Sequence, residues 1–250
     1  MRIVIIGSGN VAAVLGRLFN KKDHQVVQVV SRNPQHAKIL ADELGCRYAD
    51  CSGIDSGADL YLFAVHDSAL YEINRDMHLG NKLILHTAGS ISKEVLKDIS
   101  HNYGVLYPMQ SLRKEMEYAA DIPFLIDGNT KETVTLIEDF AKTLSASVTQ
   151  AGDAERLKLH VAAVVVSNFT NHLYALAEEF CKQENIDFKL LIPLIKETAD
   201  RVKTISPAHA QTGPAVRNDI FTLDRHLQLL TNHPKLKYLY LKITDSIMKG

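Results

Sequence analysis

Hydrophobic residues in the first half of the chain come in short blocks with two alternating periods. Arg2 to Ile6 is an uninterrupted, β-branched run, the pattern of a strand buried on both faces. After it, Val11, Val14, Leu15, Leu18 and Phe19 recur at helical spacing, which predicts a helix over Val11 to Asn20. The alternation continues with a strand at Gln25 to Val30 and a helix at Gln35 to Leu44, introduced by Asn33-Pro34. Strands are predicted at Leu60 to Val65 and Lys82 to His86, with a short helix at Ser68 to Arg75 between them. Ser92 to Ile99 reads as a helix capped by Ser92, with Glu94 in its first turn. Shorter strands follow at Gly104 to Tyr107, Pro123 to Ile126 and Ser147 to Gln150, the last two joined by a helix over Lys131 to Leu144.

The pattern changes at Gly152-Asp153. Beyond it the helical period alone persists: Ala154 to Asn185 with room for one break, Phe188 to Thr204, Phe221 to Leu230 and Lys235 to Lys249. Ser206 to Asn218 reads as a Pro/Gly-containing loop. The expected fold class is α/β. A Rossmann-type parallel sheet with helices on both faces spans 1–152, and an all-helical domain spans 153–250.

Composition narrows the function classes. The chain has 250 residues and a formal net charge of −1, so no basic excess points to nucleic acid. No apolar run is long enough for a membrane span or a signal peptide. The cysteines are Cys46, Cys51 and Cys181, an odd number without a C-x-x-C pair, which predicts free, buried or partly buried thiols and neither a disulfide framework nor a metal site. A cytoplasmic protein acting on a small molecule is the expectation.

The chemistry begins at Gly7-Ser8-Gly9-Asn10-Val11-Ala12, between the first strand and the first helix. That is the context of a dinucleotide loop: Gly7 for the turn, Gly9 for close approach of a pyrophosphate, and Ala12 for close helix–strand packing. The second strand ends in Ser31-Arg32-Asn33, with no acid to bond the ribose hydroxyls. A hydroxyl, a guanidinium and an amide suit a 2′-phosphate, so the predicted cofactor is NADP(H). The missing acid also argues against an S-adenosylmethionine methyltransferase. Ala64, Val65 and Thr87 follow the next strands and are predicted to line the cofactor; His86 is either an active-site group or a packed histidine.

Within Glu155 to Tyr174, apolar on most sides and therefore expected to be buried, Arg156, His160, Ser167 and Asn171 share one stripe, with Asn168 at its edge. Such a stripe needs partners, whether protein groups, an interface or a substrate. His160 is the acid/base candidate, and Asn168 and Asn171 could orient a carbonyl. Arg217 could clamp a carboxylate or phosphate, or pair with Asp219, which could cap the helix beginning near Ile220.

Taken together, the first loop, His86-Thr87-Ala88-Gly89-Ser90, Tyr107-Pro108-Met109-Gln110-Ser111, Leu159-His160-Val161-Ala162-Ala163 with Ser167-Asn168, and Thr212 to Asp219 followed by His226 carry a resemblance. The chain resembles the Rossmann-like proteins with a DUF2520 domain, usually described as NADP-dependent oxidoreductases. They are distant relatives of pyrroline-5-carboxylate reductase, ketopantoate reductase and the 6-phosphogluconate dehydrogenase type of helical domain. The resemblance implies a homodimer through the helical domain, and roles for His86, His160, Asn168, Arg217 and Asp219. The family commonly has serine where Ala88 stands, histidine for Tyr107, tyrosine for Leu159 and glycine for Asn218, so no role is inherited there. The expected activity is NADP(H)-dependent reduction or oxidation of a small polar carbonyl, imine or alcohol in a cleft between the domains. The alternatives are a non-catalytic NADP(H)-binding sensor or regulatory protein and, third, a partner of reduced deazaflavin.

Overall fold

The computed structural model describes residues 1–72, 77–115 and 121–250. They divide into two compact units, Met1–Ser167 and Asn168–Gly250.

The first unit is built on one sheet of eight strands. These are β1 (Arg2–Ile6), β2 (Gln25–Val30), β3 (Arg47–Ala49), β4 (Leu60–Phe63), β5 (Leu83–His86), β6 (Asn102–Pro108), β7 (Phe124–Gly128) and β8 (Val148–Gln150), in the order β3-β2-β1-β4-β5-β6-β7-β8. All pairs are parallel except β6 with β7. That antiparallel pair refines the expectation of a parallel sheet. The other predicted strands recur within a residue or two. β3 was invisible to the pattern because its three residues at the sheet edge are only partly covered.

The order reverses direction between β1 and β4, the switch point at which doubly wound sheets bind ligands. The register brings the strands out level there: Ile6 is opposite Val30 and Phe63, Phe63 opposite His86, and His86 opposite Val105. β6 runs beyond that level, so Tyr107 stands past the carboxyl edge.

Alternate residues of each strand feed two cores. Ile3 and Ile5 face one with Leu15, Phe19, Leu40 and Phe140; Val4 and Ile6 face the other with Tyr61, Phe63 and Ile84. The first core is roofed by α1 (Asn10–Lys21), α2 (Pro34–Leu44) and, further on, α4 (Lys131–Leu144). α3 is short, Asp67–Leu70; the end of the helix expected over Ser68 to Arg75 falls on 73–76, outside the described residues. The helix expected over Ser92 to Ile99 is a single tight turn, Lys93–Leu96, although Ser92 does cap it, accepting from the Glu94 N–H at 3.2 Å.

The long helical stretch comprises α5 (Asp153–Ala163), a π-helical segment Val164–Phe169, and α6 (Thr170–Gln183). Its sides are not all covered, which corrects the expectation of a buried helix. In the single chain Val161 is 57%, Val166 72% and Phe169 60% exposed, whereas Arg156 is 1% exposed. The helix is apolar, and these side chains are left exposed among the described residues.

The second unit continues with α7 (Ile192–Arg201), α8 (Pro207–Ala210), α9 (Ile220–Leu229) and α10 (Pro234–Lys249). α8 interrupts the segment expected to be loop. Asp219 caps α9 as expected, accepting from the Thr222 N–H at 3.1 Å and its hydroxyl at 2.8 Å. No described helix is long and apolar enough to cross a membrane.

Candidate functional site

A cleft of about 730 Å³ opens at the switch point. Its walls include Gly7 to Val11, Ser31 to Asn33, Ala64, Val65 and Thr87, so these predicted cofactor contacts are brought together. Ala12 lies beneath, fully buried, where its small side chain lets α1 approach the sheet. The volume is within the range of small-molecule and cofactor sites.

The two loop glycines are needed for different reasons. Gly7 has φ +127°, and a Cβ there would stand 2.1 Å from the Ala64 carbonyl oxygen. The β1 and β4 exits are packed backbone to backbone, whatever is bound. Gly9 starts α1 in an extended conformation, and a Cβ there would meet nothing within 4 Å. Among the described residues no side chain caps this helix, and no acid occupies its first turn. Its N-terminal N–H groups and positive dipole end therefore face the cleft uncompensated, the arrangement that binds phosphate.

Around the second strand end, the Ser8 hydroxyl donates to Ser31 Oγ at 3.1 Å. Asn33 Oδ1 caps α2, accepting from the N–H groups of Gln35 and His36 at 3.0 and 3.3 Å. The Asn33 acceptor is thus engaged, and its Nδ2 remains the group with which it can meet an anion. Arg32 stands exposed, 3.7 Å from Glu72 Oε2. Such a solvated pair contributes about 0–1 kcal/mol, less than the roughly 1.5–3 kcal/mol of a hydrogen bond to a charged group. His36, Cys51 and Glu72 also line the cleft and were not anticipated. His36 follows from Asn33-Pro34, since the first turn of α2 starts where the ribose would end. Cys51 is exposed, against the expectation of a covered thiol.

His86 is fully buried at the end of β5, and its Nδ1 accepts from the Ala88 N–H at 3.1 Å. Burial, then the Arg156 cation, push its pKa down to about 4, so the ring is neutral and holds the loop that leads to Gly89. The Arg156 guanidinium bonds the Ile91 carbonyl and, at 2.8 Å, Asp153 Oδ1. Asp153 in turn accepts from the Ser92 hydroxyl and the Lys93 N–H. Burial alone would raise the Asp153 pKa, but bonds from Ser92 and Arg156 outweigh it and the net shift is downward.

The polar stripe therefore resolves residue by residue. Arg156 is tied to the turn after β5, and the Ser167 hydroxyl pairs with Ser111 at 2.7 Å. His160 Nδ1 lies 2.9 Å from the Tyr107 hydroxyl. Tyr107 is the residue that sequence reasoning set aside because it departs from the family pattern. Asn168, Asn171 and Arg217 are exposed residues of the second unit.

Residues 122–247 match the model of the family described as Domain of unknown function (DUF2520), and residues 2–89 match one described as NADP oxidoreductase coenzyme F420-dependent. Among solved structures, a Bacteroides fragilis protein called a putative NADP oxidoreductase is 37% identical with a TM-score of 0.92, the match covering 100% of this chain and 98% of that one. A Thermotoga maritima protein shares the fold at 21% identity and a TM-score of 0.79, over 99% and 100% of the two chains. So does a reductive aminase from Aspergillus terreus, in complex with NADPH and ethyl-5-oxohexanoate, at 18% identity and a TM-score of 0.72, over 99% and 93%. No curated protein matches the chain.

Proposed function

This chain belongs to the DUF2520 family and carries a Rossmann-type domain of the NADP oxidoreductase kind, and on that premise we propose that it is an NADP(H)-dependent enzyme acting on a small polar carbonyl, imine or alcohol. The observation that carries the reading is Gly9: among the described residues its missing side chain serves no packing need, and no side chain caps the start of α1 beside it. Gly7, Ser8, Gly9, Asn10, Val11 and Ala12 would form the diphosphate loop. Ser31, Arg32 and the Asn33 amide, with His36, would meet the 2′-phosphate, and Ala64, Val65 and Thr87 would flank the ribose and nicotinamide. When bound, NADPH supplies the hydride. In this reading His160 takes part in the proton transfer, His86 positions the loop beneath it, and Asn168 and Arg217 are the candidates to orient substrate. A homodimer is part of the proposal, supported by the exposed apolar side chains of the long helix.

Calorimetry tests the cofactor. NADPH should bind at least about tenfold more tightly than NADH, and Arg32→Asp should erase or invert that preference. Equal affinities of the unaltered chain for both cofactors would sink the phosphate assignment. A panel of carbonyls and imines separates enzyme from sensor: the enzyme oxidises bound NADPH with some member of the panel, and a sensor with none.

A further inference from the structure

Tyr107 and His160 come from distant parts of the chain and meet over one glycine. Tyr107 lies in the part of β6 that runs beyond the end of β5, and His160 is in the third turn of α5. Besides the 2.9 Å contact of hydroxyl and Nδ1, the rings meet edge to face, 5.8 Å between centroids at 77°. Gly89 is the floor of the pair: a Cβ there would stand 2.6 Å from His160 Nδ1 and 3.0 Å from Tyr107 Cε2. Thr87, two residues before Gly89, lines the cleft, and β5 and β6 lie across β1 and β4 from β2, whose end carries Arg32. Both side chains are half-buried, open to a small molecule yet partly withdrawn from water.

We propose that Tyr107 is the proton donor of the reduction and that His160 recharges it. This rests on the oxidoreductase reading above. When bound, the dihydronicotinamide would supply hydride to the carbon of a small C=N or C=O substrate and be oxidised, and the π pair would move onto the heteroatom. The heteroatom takes the Tyr107 hydroxyl proton. As that O–H bond breaks, Tyr107 Oη takes the Nδ1 proton of the His160 imidazolium, leaving a neutral phenol and a neutral imidazole. A solvent proton then restores the imidazolium. The charged and titratable groups around the pair are Asp67, held by the Ser90 hydroxyl, Arg156 on α5 and neutral His86 below the loop. Burial, then Asp67, raise the Tyr107 pKa, so the phenol stays protonated at neutral pH and has a proton to give.

The test uses the full chain, with ¹⁵N NMR of the His160 ring, assigned by its loss in His160→Gln, alongside NADPH calorimetry and turnover on the imine and carbonyl panel. Tyr107→Phe should move the His160 Nδ1 resonance at a fixed pH, because that nitrogen loses its hydroxyl partner. The same variant should lower turnover roughly 100-fold or more while leaving NADPH affinity within about twofold. Tyr107→His, which keeps a protic ring, should recover part of the turnover with a displaced pH profile; this separates proton delivery from packing. An Nδ1 resonance of His160 in the NADPH complex that is the same with and without the Tyr107 hydroxyl overturns the relay, even if no panel member turns over. So does turnover of Tyr107→Phe within about threefold of the unaltered chain. If the unaltered chain does not bind NADPH, the oxidoreductase reading falls and takes the relay with it.

Discussion

Gly7 and Gly9 are two residues apart in one loop, and single methyl groups should separate their roles. Gly7→Ala places a Cβ against the Ala64 carbonyl in a left-handed conformation. It should cost on the order of 3 kcal/mol or more of folding stability, visible as a lowered urea midpoint. Gly9→Ala meets no atom of the described residues within 4 Å. Its melting should stay nearly unchanged while NADPH affinity, measured by calorimetry, falls at least tenfold because the methyl occupies the diphosphate's approach. A Gly9→Ala chain that binds NADPH normally would remove the loop from the cofactor site. Single residues also show why departures from a family pattern mislead. Asn218, where the family commonly has glycine, has φ +51°, a conformation that asparagine tolerates better than most residues. Tyr107 departs as well, yet it contacts His160, and no spacing in the sequence could bring position 107 to position 160.

Among the elements, the segment after β5 has the most unusual support. It carries little regular structure, and buried polar groups hold it instead: neutral His86 beneath, and the Arg156–Asp153 pair fastening Ile91, Ser92 and Lys93 to the start of α5. A pH dependence follows. The His86 pKa falls from 6.5 unfolded to about 4 folded. Between those values the unfolded chain binds more protons, so stability is fully present above pH 6.5 and is lost as pH falls toward 4, by roughly 3 kcal/mol at most. His24, also lowered by burial, adds in the same direction. Urea unfolding at pH 7 and pH 4.5 should show the loss, and His86→Asn, which keeps an acceptor for the Ala88 N–H without a titrating ring, should flatten it. An equally steep loss in that variant would show that His86 is not its source.

For the whole molecule, the long helix poses the question of what covers it. Val161, Val165, Val166 and Phe169 are each at least half exposed in the single chain. Burying such side chains contributes about 1.5–3 kcal/mol each. Counted on both copies of a two-fold dimer, they can offset the roughly 4–15 kcal/mol that association costs. Val166→Asp should therefore convert a dimer to a monomer in light scattering at micromolar concentration. A monomeric unaltered chain would refute the dimer.

The sequence by itself determined the alternation of strands and helices, the position of the nucleotide loop and the absence of an acid at the second strand end. These are local facts: side-chain periodicity and loop chemistry are written into neighbouring residues. Tertiary structure alone decided that β7 runs antiparallel, that Gly7 is required by a carbonyl from another strand, and that His86 is sealed in. It alone paired His160 with Tyr107 across 53 positions. Those outcomes depend on which chain segments the sheet order brings together, and periodicity carries no record of that.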